Sequence, residues 1–89
     1  MSESKYTVIE TKEFKRRFEK LPPEVQQRIK NKIQNELIHE PYSYEPYHGK
    51  YKGARKLRVG DYRVLFIVDE KKKAVVLFYV MHRGEEYRK

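Results

Sequence analysis

The stretch from Leu57 to Phe66, LRVGDYRVLF, decides the fold because it joins two strand-forming segments through a Gly-Asp pair. A two-residue linker of this kind supplies the positive backbone φ angle of a tight β-hairpin turn. Residues 54–59 before the linker and residues 62–69 after it are rich in apolar and β-branched side chains, as strands are. The stretch therefore predicts an antiparallel hairpin whose turn is Gly60-Asp61.

Side-chain alternation sorts the residues of this hairpin onto two faces. Arg63 falls on the same face as Leu65 and Ile67, and Lys56 falls on the same face as Arg58. If helices cover the opposite face, Arg63 points to the uncovered one, and the hairpin register can bring Lys56 or Arg58 beside it. The pattern predicts a cluster of cations on one face of the sheet, with solvated strand-end arginines as the simpler alternative.

Two further segments complete the predicted sheet. Residues 5–9 are β-branched and aromatic and predict a short first strand, whereas residues 74–81 are the most apolar run and predict the central strand. Continued alternation puts Arg83 in phase with Met81, Tyr79 and Leu77. The run 69–73 is a charged turn, and residues 40–53, with two prolines, two glycines and four tyrosines, form a long loop.

Two helices are predicted between the first strand and this loop. Thr11 is a suitable N-cap, and Pro22-Pro23 both ends the first helix and begins the second. Apolar residues at helical spacing form one buried stripe on each helix: Phe14, Phe18 and Leu21, then Val25, Ile29, Ile33 and Leu37. The element order β-α-α-β-β-β predicts a single α+β domain over residues 1–89. It consists of an antiparallel meander sheet with a helical hairpin packed on one face.

The charge of the chain is uneven. Its 21 basic and 13 acidic residues give a net charge of +8, and residues 48–89 alone hold 12 basic and 5 acidic groups. A basic surface concentrated in one half of a small domain indicates a polyanionic partner such as a nucleic acid. An acidic protein partner and a charge that serves solubility are the alternatives.

The sequence lacks the residues that several classes of protein function require. There is no cysteine, and His39, His48 and His82 have no metal-ligand spacing with one another. Neither a phosphate-binding P-loop nor a serine nucleophile elbow is present, so we expect no metal or other cofactor. The beginning, MSESKYTVIE, lacks the apolar segment of a signal peptide, and no run is long enough to span a bilayer. We therefore expect a cytoplasmic protein with no membrane partner.

The remaining candidates are guanidinium and ammonium groups with a tyrosine nearby. Such groups suit a phosphate, because arginine binds its oxygens in a planar fork and stabilises the added charge of a pentavalent transition state. RNA brings its own nucleophile, the 2′-hydroxyl, so cleavage needs charge stabilisation, in-line positioning and proton transfer. Tyr87 is the candidate base if clustered cations stabilise its phenolate, and a residue that pins the tail to the domain otherwise.

Three segments carry a resemblance to a known family. They are F-K-x-x-F-x-K-L-P-x-x-V-Q-x-x-I from Phe14, Y-H-G-K-Y-K-G-A-R-K-L-R-V-G-D-Y-R-V-L-F from Tyr47, and V-M-H-R-G-E-E-Y from Val80. In this order and spacing they resemble the RelE/ParE toxins of type II toxin–antitoxin modules, over almost the whole chain. RelE-like members are ribosome-dependent endoribonucleases that cut mRNA in the decoding site, and ParE-like members inhibit DNA gyrase. The resemblance implies a RelB-like antitoxin partner in a hetero-oligomer, with the ribosome and mRNA as further partners.

The resemblance also implies roles for individual residues. Arg63 matches the arginine that contacts the scissile phosphate, Arg83 matches the one assigned to transition-state stabilisation or acid work, and Tyr87 matches the proposed base. Lys56 matches one of two lysines spaced by one residue, and Ala54 stands where the other lysine is expected. This departure keeps a ParE-like gyrase inhibitor or a catalytically inert antitoxin-binding protein open as alternatives.

Further basic residues are expected to bind RNA around these catalytic candidates. Arg55 lies next to Ala54 but on the opposite face by alternation, so lysines of the loop are the better substitutes. The predicted RNA-binding set is Arg58, Lys52, Lys50, Arg55 and His82.

Overall fold

A computed structural model describes residues 5–86, except for the side chain of Glu86. The helices are α1 (Lys12–Phe18), α2 (Pro23–Lys32) and α3 (Arg83–Glu86). The strands are β1 (Thr7–Glu10), β2 (Arg55–Val59), β3 (Tyr62–Asp69) and β4 (Ala74–His82). The predicted α+β class and the β-α-α-β-β-β order are confirmed, and α3 is a short addition after the last strand.

The helical hairpin forms as its capping residues and prolines predict. The hydroxyl of Thr11 accepts a hydrogen bond from the backbone N–H of Phe14 at 3.2 Å, which satisfies a free donor at the start of α1. Pro23 occupies the first turn of α2, where its missing N–H costs nothing. The α2 helix continues as a π-helical turn over Ile33–Leu37 and has ended before Pro41.

The sheet differs from the predicted antiparallel meander in one strand. Its order is β1-β4-β3-β2, and the β2-β3-β4 part is the expected antiparallel meander. The β1 strand, however, pairs with β4 in parallel, so the sheet is mixed. The physical reason is that β4 is the most apolar strand and needs neighbours on both edges. One edge of β4 pairs with β3. The other edge pairs with β1, which precedes the helical hairpin in the chain.

The hairpin turn fixes the register on which the site depends. Gly60 has φ 60°, the left-handed conformation predicted for this turn, and it is the first central residue between β2 and β3. Asp61 is not among the described residues with positive φ, which matches a turn with glycine in its first central position. In this register Arg58 pairs with Arg63, and Lys56 pairs with Leu65.

The core lies between the helices and one face of the sheet. Its buried members are Phe14, Val25, Ile29, Ile33, Leu37, Ile38, Leu57, Val59, Val64, Phe66, Val75, Leu77 and Val80. The two predicted helical stripes and the Val64/Phe66 face of β3 all contribute to it. Burial of these side chains provides the main favourable term in folding. The other face of the sheet carries no helix of the hairpin, and Arg63 lies on that face.

No helix within residues 5–86 combines the length and the apolar character needed to cross a membrane.

Candidate functional site

Two rows of paired residues cross the face of the sheet that the helical hairpin leaves uncovered. In the first row, Arg63 of β3 lies between Arg58 of β2 and Met81 of β4. In the second row, Leu65 separates Lys56 from Tyr79. The predicted grouping of Lys56, Arg58 and Arg63 on one face is therefore present, and the hairpin register sets it.

Arg63 is the anchored member of this group. It is 5% exposed, and within residues 5–86 it is the one charged side chain that is buried. Its Nη1 donates hydrogen bonds to the carbonyl oxygens of Gly60 and Tyr62, each at 3.2 Å. The hairpin turn thus fixes the orientation of the guanidinium, which lowers the entropy that a ligand must remove on binding.

Arg58 and Lys56 occupy the outer strand with different degrees of exposure. The Arg58 side chain is 58% exposed, and its Nε lies 3.9 Å from Oε2 of Glu45, a weak ion pair in solvent. Lys56 is half-buried, and its backbone N–H donates to the carbonyl of Glu45 at 3.1 Å. Arg58 is therefore the more mobile cation of the row, directly across from the fixed Arg63.

Arg83 reaches the site from a different element than alternation predicts. A bulge opposite Leu65 and Phe66 changes the phase of β4, so that Leu77 and Tyr79 lie on opposite faces. The β4 strand ends at His82, and Arg83 begins α3. The predicted phase is therefore present for Met81 and Tyr79, which lie on the Arg63 face, but not for Leu77. Arg83 itself lies beyond the end of the strand, so strand alternation does not apply to it.

The hairpin turn instead brings Arg83 to this end of the sheet. The Arg83 N–H donates to the carbonyl of Asp61 at 2.6 Å, and its Nε lies 3.8 Å from Oδ1 of Asp61. Its side chain is exposed. Arg63 and Arg83 are therefore both attached to the Gly60-Asp61 turn, one through Gly60 and the other through Asp61.

The long loop brings two predicted lysines toward the same face. The ring of Tyr51 packs against Phe78 and Tyr79 of β4, with ring centroids 5.1 and 5.8 Å apart. Lys50 lies over the Tyr51 ring at 5.3 Å, and Lys52, the next residue in the chain, is exposed. Packing of one tyrosine thus places both lysines along the rim of this face.

The remaining predicted contacts lie elsewhere. Ala54, at the expected lysine position, is 2% exposed. Arg55 pairs with Phe66 on the helix-covered face, and its Nη1 donates to the carbonyl of Tyr44 at 2.7 Å. His82 pairs with Tyr62, and their rings meet edge to face at 5.2 Å. The fold therefore does not bring Arg55 or His82 into the row of Arg58 and Arg63.

Arg17 of α1 is a residue that the sequence did not single out. It lies on the outer face of an amphipathic helix by periodicity, and nothing in its neighbourhood marks it as different from Arg16. In the fold it reaches the free edge of β4, where its Nε donates to the carbonyl of Val80 at 2.8 Å. Its Nη2 also donates to Oε2 of Glu85 at 2.8 Å.

Two tyrosines, Tyr79 and Tyr87, are relevant to the chemistry of the site. Burial raises the pKa of Tyr79, and the nearby Arg17 guanidinium acts in the opposite direction. The Tyr79 hydroxyl is therefore protonated at neutral pH and available as a donor. Tyr87, the candidate base, lies outside the described residues. Within residues 5–86, no three His, Asp or Glu side chains converge as metal ligands do.

Comparisons with known proteins agree with this architecture. Residues 8–87 match the family model described as the ParE toxin of the type II toxin–antitoxin system parDE. Toxin RelG of Mycobacterium tuberculosis is 32% identical over 85 residues, which cover 94% of this chain and 98% of RelG.

Solved structures give the same result. The toxin–antitoxin complex RelBE2 of Mycobacterium tuberculosis contains a chain with a TM-score of 0.80 and 31% identity, with 90% of this chain and 93% of that one covered. The isolated RelE toxin of E. coli has a TM-score of 0.73 at 20% identity, with 86% and 83% covered, which supports the fold alone.

The fold and its cationic face thus define a small α+β toxin domain. The chain belongs to the RelE/ParE superfamily of toxins of type II toxin–antitoxin systems.

Proposed function

We propose that this toxin is a ribosome-dependent, metal-independent endoribonuclease that cuts mRNA in the decoding site and so inhibits translation. The observation that carries the proposal is the pairing of Arg58 with the buried Arg63 on the uncovered face of the sheet. The pairing puts two guanidinium groups on the same face of the sheet, where both can donate to the oxygens of one phosphate. A phosphodiester presents two oxygens to such a pair.

The proposed chemistry uses the 2′-hydroxyl of the substrate as nucleophile. Its oxygen forms a bond to phosphorus as the bond to the 5′-oxygen breaks, and the leaving oxygen takes up a proton from solvent water. Arg63 holds the phosphate, and Arg83 stabilises the charge that develops on it. Tyr87 accepts the proton of the 2′-hydroxyl, and Lys56 supplies further positive charge. The products are a 2′,3′-cyclic phosphate and a 5′-hydroxyl.

The net charge supports the dependence on the ribosome. A protein with a net charge of +8 attracts ribosomal RNA phosphates whatever the RNA sequence. This attraction concentrates the enzyme at its substrate. Lys50 and Lys52 suit this role because both are exposed on the rim of the site. Arg55 and His82 stay predicted RNA contacts outside the row of Arg58 and Arg63. Action on ribosomes would take place in the cytoplasm.

A RelB-like antitoxin is the proposed protein partner in a hetero-oligomer. On the uncovered face, Val76 of β4 pairs with Ile9 of β1 and Ile67 of β3. The two isoleucines are 37% and 39% exposed, unusually high for large apolar side chains on a sheet. An acidic chain with an apolar face would match both this row and the positive charge. The solved relative in the Mycobacterium tuberculosis RelBE2 complex supports such an assembly.

The test is cleavage of mRNA on programmed ribosomes in the presence of EDTA. We expect one cut per decoding site, a product with a 5′-hydroxyl end, and no cleavage of the same mRNA without ribosomes. Arg83→Ala should abolish the cut without unfolding the protein, because Arg83 is exposed. Intact mRNA on programmed ribosomes treated with the wild-type toxin would refute the proposal.

Gyrase inhibition is the second candidate function. It is favoured by the match to the ParE toxin model and by Ala54, a small buried residue where the resemblance leads us to expect a lysine. Growth arrest with intact mRNA and inhibited DNA supercoiling would establish this alternative. Absence of both activities in a chain that still binds an antitoxin would identify a catalytically inert relative.

A further inference from the structure

We infer that Arg17 is a positioning residue, which holds the segment from His82 to Glu85 so that Arg83 is presented to the substrate. The inference rests on the proposed nuclease function and extends it to a residue of α1. Arg17 lies on the helical hairpin, far from Arg83 in sequence, and its side chain is 30% exposed.

Arg17 joins three parts of the molecule through one guanidinium group. Its Nε donates to the carbonyl of Val80 at 2.8 Å, on the part of β4 that β1 does not cover. Its Nη2 donates to Oε2 of Glu85 at 2.8 Å. Its Cζ lies 4.1 Å from the centre of the Tyr79 ring. The guanidinium group of Arg17 therefore lies across the edge of β4 and reaches the face of the sheet that the helical hairpin leaves uncovered.

Glu85 passes this constraint on to the segment that carries Arg83. Its Oε1 accepts the backbone N–H of His82 at 3.3 Å, and its Oε2 accepts the bond from Arg17. The Tyr79 hydroxyl is 3.5 Å from the same Oε2. The side chain of Glu85 thus closes a loop over residues 82–85, with Arg83 inside it.

Arg83 is consequently held from two sides. Asp61 fixes it from the hairpin turn through the 2.6 Å backbone hydrogen bond, and Arg17 fixes the far side of its segment through Glu85. A cation that stabilises a transition state must be in place before charge develops, so small displacements are costly. Loss of the Arg17 bridge should therefore lower kcat more than it raises KM.

Only arginine provides this bridge. Lysine has the same charge but one nitrogen, so it cannot donate to Val80 and to Glu85 in the plane that also stacks on Tyr79. The neighbouring Arg16 provides a matched control, because its side chain is 63% exposed and its described partner is Glu13 on the same helix. Arg17→Lys and Arg16→Lys both leave the net charge unchanged.

The experiment compares these two variants in steady-state cleavage on programmed ribosomes and in hydrogen exchange of the free protein. We expect Arg17→Lys to lower kcat by roughly ten- to a hundredfold with little change in KM. It should also speed exchange of the His82 amide. Arg16→Lys should match the wild type in both measurements. Glu85→Gln should lower kcat as well, although it makes the protein one charge more positive and so should not weaken RNA binding.

The outcomes separate the two proposals. If the wild type cleaves and Arg17→Lys matches Arg16→Lys in kcat and in exchange, the positioning role is overturned and the nuclease function stands. If the wild type does not cleave, the nuclease function falls, and with it the catalytic purpose of the bridge. A rise in KM alone, with kcat unchanged, would make Arg17 an RNA contact and would also overturn the inference.

Discussion

Arg58 and Arg63 lie directly opposite each other on neighbouring strands, and one is exposed whereas the other is buried. Two like charges in this arrangement work against pairing of the strands. The Gly60-Asp61 turn holds them in register, and the carbonyls of Gly60 and Tyr62 bind the buried member. The arrangement presents two guanidinium groups to an anionic ligand on the same face of the sheet.

Alanine substitutions should separate the two arginines. Arg63→Ala should lower the rate of ribosomal cleavage by a factor of about 100 or more, because it removes the fixed donor that we propose for the phosphate. It should also lower the free energy of unfolding by about 1–3 kcal/mol, since two hydrogen bonds at the turn are lost. Arg58→Ala should weaken cleavage without destabilising the fold, because Arg58 is exposed and its ion pair with Glu45 is weak. Urea unfolding and cleavage assays measure both effects, and Arg16→Ala serves as the exposed control. Wild-type cleavage by Arg63→Ala would contradict the assignment.

Glycine substitutions should test the turn. Gly60→Ala should destabilise the protein by about 1–2 kcal/mol, because φ 60° is unfavourable for a residue with a Cβ atom. Gly53, at φ 83°, is the control, since a Cβ there meets nothing within 4 Å. A Cβ on Gly60 meets Nη2 of Arg28 at 3.0 Å, the end of a flexible side chain that can move away. We therefore expect similar losses of stability by urea unfolding. Stronger loss of cleavage is expected for Gly60→Ala, and equal cleavage by both variants would argue against a role of the turn in the site.

The contact of two tyrosines with Glu70 should appear in a pH titration. The Tyr6 and Tyr42 hydroxyls both donate to Oε2 of Glu70, and this raises the pKa of Tyr42 to about 12 and lowers the pKa of Glu70. The raised value means that the Tyr42 contact stabilises the fold below the ordinary tyrosine pKa of 10.0. That contribution is lost as the pH rises toward about 12. The lowered value of Glu70 means that its contribution is present above the ordinary pKa of 4.5 and is lost as the pH falls through the folded value.

Glu70→Ala should therefore shift the last phenol titration down toward 10.0, as followed by ultraviolet absorbance. Asp69→Ala is the matched control in the same turn, because Asp69 accepts the Lys72 N–H and no tyrosine hydroxyl among its described contacts. An unchanged high-pH titration in Glu70→Ala would show that the contact does not form in solution.

The helix cap should be measurable by itself. Thr11→Ala should lower the free energy of unfolding by about 1 kcal/mol, because the Phe14 N–H loses its acceptor. Thr11→Ser keeps the hydroxyl and should retain most of the stability. Urea unfolding checks both variants, and equal losses in the two would mean that the methyl group of Thr11 matters rather than the cap.

The exposed apolar row should matter for the antitoxin and not for cleavage. Ile67→Thr keeps a β-branched side chain but removes apolar surface, so it should weaken antitoxin binding in a calorimetric titration while ribosomal cleavage is unchanged. Tyr42→Thr is a suitable control, since Tyr42 is also exposed but belongs to the loop beyond α2. Equal antitoxin affinity of Ile67→Thr and the wild type would exclude this row from the interface.

Local patterns were sufficient for most of the fold. Thr11, Pro23 and the apolar stripes determined the helical hairpin, and Gly60 determined the turn, because each acts through its own backbone geometry or a helix period. Alternation also placed Lys56, Arg58 and Arg63 on one face correctly. These features depend on residues that are neighbours in the chain.

The rest depended on distant parts of the chain. Parallel pairing of β1 with β4, the bulge that puts Leu77 and Tyr79 on opposite faces, and the burial of Arg63 are properties of assembled strands. Arg17 gave no signal at all in the sequence, since a cation on an outer helix face looks the same with or without a partner. Local sequence patterns thus predicted the four strands, the two helices of the hairpin and the cations of the site. Only the assembled fold shows which cations are anchored. Arg83 and Arg17 are held by Asp61, Val80 and Glu85, which are distant from them in sequence. Arg63 is held by the nearby carbonyls of Gly60 and Tyr62, whose orientation the paired strands set.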